Sequence, residues 1–390
     1  MFNRELFDPE HAVQKSPQRC HLQRCTAFSI PTVKVISFFA GAGGLDLGFE
    51  NAGFEIPWAN EYDRKIWATY RLNFPNTHLE TRSITNVEPS DVPDCDGMIG
   101  GPPCQSWSEA GELRGIEDQR GQLFFEYVRL LRAKRPLFFL AENVSGIVFN
   151  RHSVAFNEIL KNFAHIGYNV SYHLLNANDY GVPQDRERVI IVGYLAQYEK
   201  HFTPPRPFDV RPNLKDAIWD LRKNVVPAQD KNRTNPKTKI SNHEFFVGGF
   251  SSIYMSRNRV RPWDRPSFTI QAGGRHAPIH PQAPEMVLIG KDARAFAPGA
   301  TYRRLSVREC ARVQTFPDDH QFVYEYVADG YKMIGNAVPV RFAEALADQI
   351  KRDVKNFPRR RRFEVVRGTI VKGATSRSQR RSDQDKMLAS

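Results

Sequence analysis

The chain has 390 residues, 41% of them hydrophobic and 25% charged, with a formal net charge of +12. Such a chain buries a sizeable core and suits two domains, or one large α/β domain with an insert. No apolar run approaches the roughly 20 residues of a membrane helix, and no collagen, coiled-coil or repeat period is visible.

Residues 1–31 show no pattern and are expected to form a loose extension; their start carries acids and no apolar core, unlike a secretory signal. Residues 33–39 (VKVISFF) are an apolar run ending in glycines, which predicts a buried strand, and 43–52 has a helical pattern. Further strands are predicted at 55–61, 97–101, 136–143 (PLFFLAEN), 168–176 and 188–194, and helices at 63–73 and 123–133. This alternation predicts an α/β fold with a mostly parallel sheet covered on both faces by helices. From about residue 200 prolines break the chain often and the rhythm stops, so 200–303 is expected to be a smaller irregular domain. Helical patterning returns at 306–314 and after Pro339, so 304–356 is expected to pack back on the first domain, 32–199. Residues 357–390, with Arg359, Arg360, Arg361 and Arg362 and no periodic apolar face, predict a loose basic tail.

Charge is unevenly spread: residues 1–200 carry a net −4, whereas 201–312 carry +11 and 357–390 carry +7. The basic internal stretch interleaves Arg257, Arg259, Arg261, Arg265 and Arg275 with Tyr254, Trp263 and Phe268. Arg and aromatics together suit the phosphates and bases of a nucleic acid. The five cysteines (Cys20, Cys25, Cys95, Cys104, Cys310) are odd in number and scattered. That argues for a reducing, cytoplasmic setting and leaves a thiol free to act as a nucleophile. Cys20 and Cys25 lack a second pair, so no metal site is expected.

Three segments carry chemistry. Phe39-Ala40-Gly41-Ala42-Gly43-Gly44, between strand and helix, is a nucleotide-type cradle. The third glycine of a dinucleotide fingerprint would fall at Asp46, and no P-loop Lys follows. Glu61, at the end of the next strand, is placed to bind the hydroxyls of a ribose, and this combination suits S-adenosylmethionine. Gly101-Pro102-Pro103-Cys104-Gln105-Ser106-Trp107-Ser108 displays a cysteine on a rigid backbone. Glu142 ends an apolar strand, where desolvation favours a protonated carboxyl, and Arg186 and Arg188 precede another strand. A thiolate adding to C6 of cytosine would make C5 nucleophilic, with a carboxylic acid at N3 and an Arg on O2 assisting. A zinc deaminase would need a second cysteine where Trp107 stands. An RNA-directed relative and a DNA-binding protein without catalysis remain as alternatives.

These segments resemble the DNA (cytosine-5)-methyltransferases, in family order over roughly 33–354, closing with 304–314 (RLSVRECARVQ) and 335–339 (GNAVP). The resemblance implies a Rossmann-like S-adenosylmethionine-dependent methyltransferase fold. It implies Cys104 as nucleophile, Glu142 as the N3 partner, and Arg188, supported by Arg186, on the cytosine. It implies cofactor contacts from Phe39, Gly41, Gly43, Gly44, Glu61, Tyr62, Ser83, Ile84, Pro103, Asn336 and Val338. The family usually has an Asp at Ser83 and more often a Phe at Trp107. Within 200–303, segments such as 230–235 (DKNRTN) and 280–284 (HPQAP) resemble enzymes that methylate GGCC in double-stranded DNA. That implies the inner cytosine as substrate, flipped from the helix, and Arg257, Arg259, Arg261, Arg275 and Gln271 as DNA readers. A monomer is the default expectation, because a single chain can methylate one strand at a time, and methylation of a palindromic site usually implies a restriction-modification system with a matching endonuclease, without a stable complex.

Overall fold

The computed structural model describes residues 32–103, 119–149, 153–250, 254–291, 293–358 and 366–375. All belong to one compact unit, Thr32–Ser390. Seven strands appear in its first part: β1 (Lys34–Phe38), β2 (Glu55–Asn60), β3 (His78–Glu80), β4 (Gly97–Gly100), β5 (Phe138–Val144), β6 (Tyr168–Asn176) and β7 (Glu187–Leu195). Between them run α1 (Gly44–Asn51), α2 (Arg64–Asn73), α3 (Gln119–Lys134) and α4 (Ser153–His165). The next stretch is irregular, with one short helix, α5 (Leu214–Ile218), and two small strand pairs. These are β8 (Val226–Pro227) with β9 (Glu244–Phe245), and β10 (Val287–Gly290) with β11 (Ala293–Ala295). The chain closes with α6 (Val307–Val313), α7 (Val327–Asn336), α8 (Val340–Val354) and β12 (Ile370–Thr375).

The central sheet has the order β12-β6-β7-β5-β4-β1-β2-β3. Every neighbouring pair is parallel except those made by β7, which runs antiparallel to both β5 and β6. The mostly parallel sheet is therefore present, with one reversed strand. Sequence periodicity could not reveal the reversal, because β7 is buried on both faces from Val189 to Leu195 and reads as an unbroken apolar run. Strand order reverses between β4 and β1, the switch point where ligands meet open α/β sheets.

Two expectations need correction. Residues 366–375 are not a loose tail: β12 adds an edge strand beside β6, and Thr369 donates to the Asn169 side chain at 3.0 and 2.9 Å. The charge count over 357–390 hid a short β-branched run, Thr369-Ile370-Val371, that finds an open sheet edge. The closing segment also divides its packing. Phe342, Ala343, Leu346 and Ile350 of α8 join the core beneath the sheet. Residues of α6 and α7 instead share a second core with Leu214, Ile218 and Ile270 of the irregular stretch. That stretch thus leans on α6 and α7 for much of its core. Among the described residues no helix is long and apolar enough to cross a membrane.

Candidate active site

The loop after β1 turns sharply. Phe39, Gly41 and Gly43 have φ of 54°, 57° and 82°, and Phe39 holds this left-handed conformation without being glycine. A Cβ on Gly43 would sit 2.1 Å from Phe74, and one on Gly44 would sit 2.3 Å from the Val338 carbonyl. The glycines therefore let α2 and the chain after α7 close on the start of α1. Just past β2, the Glu61 carboxylate accepts from the Gly41 N–H at 2.9 Å and the Asp63 N–H at 2.7 Å. One side chain so fixes the loop against the end of β2. Burial raises the Glu61 pKa, while these two backbone donors act against the rise.

Asp46, which sequence reading used only to reject a dinucleotide site, is fully buried in the first turn of α1. It accepts from Ser37 Oγ and Tyr70 Oη, each at 2.6 Å, and so ties β1, α1 and α2 together. Burial raises its pKa to about 6, against the pull of both hydroxyls. A raised carboxyl favours folding while protonated, and that contribution is lost as pH climbs from about 4 to 6. Asp46→Asn is expected to flatten the fall in stability over that window, by up to about 3 kcal/mol. Thermal melting of both proteins from pH 4 to 7 checks this; parallel curves would refute it.

These elements open on a cleft of about 440 Å³. Phe39, Gly41, Gly44 and Glu61 reach it from the first two strands, and Pro103 and Glu142 from β4 and β5. Asn336 and Val338 reach it from the end of α7. Its size and mixed lining fit a nucleoside-sized ligand such as S-adenosylmethionine, and the outer lone pairs of Glu61 suit ribose hydroxyls. Gly43, Tyr62, Ser83 and Ile84 are not in the lining. Gly43 is the N-cap of α1, and Tyr62 is 71% exposed. Ser83 caps a short turn through Thr85 N, while Ile84 is buried.

Glu142 sits on β5 with Arg188 Nε 2.8 Å from its Oε1, both side chains 11% exposed. Strand register makes the pair: Arg188 stands opposite Val144, diagonal to Glu142 on the same face. Burial lowers the Arg188 pKa, and the Glu142 charge opposes that shift. Asn143 donates through Nδ2 to the Pro102 carbonyl at 3.0 Å, pinning the chain just before Cys104. Cys104 and Trp107 lie outside the described residues.

Arg186 has different partners from Arg188. It is 1% exposed and donates to the carbonyls of Ile270 (3.1 Å), Gly335 (2.9 Å) and Ala337 (3.0 Å). All three bonds go to backbone, so Arg186 clamps the irregular stretch to the chain flanking Asn336. Beside it Gln184 and Gln314 join side chains at 2.8 Å, and Gln314 also donates to Ile334. Sequence reading missed this lattice, since a buried Arg or Gln has no local pattern to distinguish it from a surface one.

The candidate DNA readers divide. Arg257, Arg275 and Gln271 are exposed. Arg259 instead donates to the Tyr254 carbonyl and lies 4.5 Å from that ring's centre. Arg261 pairs with Asp185 at 2.9 Å and lies 4.0 Å from the centre of the Phe268 ring. Arg304, unassigned from sequence, lies 3.7 Å from the centre of the Phe250 ring and donates to the Gly248 and Gly249 carbonyls.

Residues 33–352 match the family described as C-5 cytosine-specific DNA methylase. The chain is 52% identical over 341 residues to the Type II methyltransferase M.NgoPII of Neisseria gonorrhoeae, covering 86% of this chain and 100% of that protein. It is 54% identical over 324 residues to M.MthTI of Methanothermobacter thermautotrophicus, covering 82% and 98%. In fold it is similar to the DNMT2 of Spodoptera frugiperda, with a TM-score of 0.61 at 17% identity over 82% of this chain and 100% of that one. With the cleft and the Glu142–Arg188 pair already in place, these matches establish that the chain belongs to the C-5 cytosine-specific DNA methylases, S-adenosylmethionine-dependent DNA cytosine-5 methyltransferases.

Proposed function

We propose that this chain methylates the inner cytosine of GGCC in double-stranded DNA, as the modification arm of a Type II restriction-modification system. The observation that carries the chemistry is the buried Glu142–Arg188 pair at the edge of the cleft, next to the pinned start of the Cys104 segment. The Cys104 thiolate adds to C6 of a flipped-out cytosine. Glu142 holds a proton at N3, and Arg188 faces O2, so that the ring accepts the electron pair and C5 becomes enamine-like. When bound, S-adenosylmethionine supplies an electrophilic methyl group, and Phe39, Glu61 and Asn336 would hold it. Loss of the C5 proton and elimination then free the thiolate.

The GGCC assignment is supported by the segments of 200–303 that resemble enzymes of that specificity, and by exposed Arg257 and Arg275, donors suited to guanine O6 and N7. A single chain methylating one strand at a time is enough, and an endonuclease would share the site without a stable complex. The test is purified protein with the cofactor and two duplexes, one with GGCC and one scrambled, with 5-methylcytosine counted by nucleoside mass spectrometry. Methylation of the GGCC duplex alone supports the reading; equal methylation of both refutes the site. Arg257→Ala and Arg275→Ala separate the roles further. A base reader loses about 1–3 kcal/mol of discrimination, whereas a phosphate contact weakens both duplexes alike and reduces the salt slope.

A further inference from the structure

The β10–β11 hairpin is bare along β10 and firmly mounted at its root. Val287 and Leu288 are consecutive paired residues that point to opposite faces, and Ile289 follows at a shift in register, yet the three are 48%, 65% and 65% exposed. Both faces of the strand are therefore uncovered by the described residues. The root is different. Met286 is 3% exposed and packs with Tyr254, Val260 and Ile279, against Phe296. Arg294 donates to the Met286 carbonyl at 3.0 Å. Met286 N–H meets Asn258 Oδ1 at 3.5 Å, and Arg259 N–H meets Met286 Sδ at 3.4 Å. Phe296 stacks on Tyr302 at 3.9 Å. An isolated two-stranded hairpin is marginal in water, so this anchoring is what holds an apolar strand outward.

Its position indicates the occupant. The root bonds to Asn258 and Arg259, immediately after exposed Arg257, so the hairpin continues the surface assigned above to DNA. Lys291 and Arg294 lie on the hairpin itself, and Arg257 and Arg259 flank the Asn258 that meets its root, with only Glu285 and Asp292 as nearby acids in sequence. An exposed apolar strand on a hairpin that carries Lys291 and Arg294 matches a duplex, whose phosphates are anionic and whose base steps are apolar. A second copy of the same surface would set like charge against like. We propose that the β10–β11 hairpin is an apolar finger that enters the duplex beside the target site and unstacks a base step with Leu288 and Ile289. This rests on the reading that 200–303 faces DNA.

The test is Leu288→Ser/Ile289→Ser in the full chain. Both positions are exposed, so melting should stay near that of the unsubstituted protein. Each protein is titrated against a GGCC duplex and a scrambled duplex, both carrying 2-aminopurine in place of an adenine that directly flanks the four-base site, at several salt concentrations. The unsubstituted protein is expected to raise the fluorescence. The variant is expected to lose most of that rise and bind roughly tenfold or more weaker, the scale of losing one or two buried aliphatic contacts. Its salt slope should be unchanged, because no cation was removed. Equal fluorescence and affinity for the two proteins would overturn the finger. Normal DNA behaviour with loss of self-association in sedimentation would also overturn it, assigning the hairpin to a second copy. If the unsubstituted protein treats both duplexes alike, the GGCC reading fails, while comparison with the variant on either duplex still judges the hairpin.

Discussion

Glu142→Gln is expected to slow single-turnover methylation by about 10²–10⁴-fold, the range for losing a positioned general acid. The amide keeps the shape and still offers an oxygen to Arg188 Nε, now 2.8 Å from Glu142 Oε1. What it loses is the ability to place a proton at N3 of cytosine as electrons enter the ring. Cofactor binding should change little, because the cradle is built by the β1–α1 loop, Glu61 and Asn336. Cys104→Ser is expected to behave differently, with no methylation and no covalent complex on a duplex carrying 5-fluorocytosine. Glu142→Gln should still trap that complex, slowly. Single-turnover rates and denaturing gels separate the two. A Glu142→Gln protein that methylates at the unsubstituted rate would remove the carboxyl from the mechanism.

Local chemistry and long-range packing differed in how legible they were. The β1 run, the glycine loop and Glu61 were readable because each sits on one short segment whose spacing shows a turn between strand and helix. Glu142 was readable because an acid ending an apolar strand is costly to bury without use. Its partner Arg188 was readable only by resemblance, since the pairing depends on β7 running antiparallel beside β5. Asp46 was misread as a mere departure from a fingerprint, because its partners Ser37 and Tyr70 meet it only after α1 and α2 fold onto β1. β3 and α7 escaped notice for different reasons: β3 has three residues, and α7 carries Gly330 and Gly335, which weaken a helical pattern. Gly335 is explained only by the fold, since a Cβ there would lie 2.4 Å from the Gln271 backbone.

Arg186 is where that long-range packing should register most strongly in stability. Its guanidinium bridges Ile270 in the irregular stretch to Gly335 and Ala337 on either side of Asn336. Burial lowers its pKa, with the Arg188 charge adding to the shift and Glu142 opposing it. Arg186→Met fills much of the same space with apolar atoms but leaves the Ile270 and Gly335 carbonyls without these donors, while the Ala337 carbonyl keeps its bond from Gln314. At about 1–3 kcal/mol for each unsatisfied group, partly relieved by relaxation, the loss should be about 3–5 kcal/mol. For a chain of this size that corresponds to melting lower by about 5 °C. Arg186→Lys keeps the charge but cannot span three carbonyls with one ammonium, so it should rescue only part of the loss. Kinetics supply a readout that a general loss of stability would not move at permissive temperature. Because Asn336 lines the cleft, the KM for S-adenosylmethionine should rise several-fold in both variants, with kcat changed less. Glu142→Gln predicts the reverse split, a loss in kcat at nearly unchanged KM. If Arg186→Met lowered kcat alone while melting normally, the guanidinium would act on the base after all, and the clamp would not be its function.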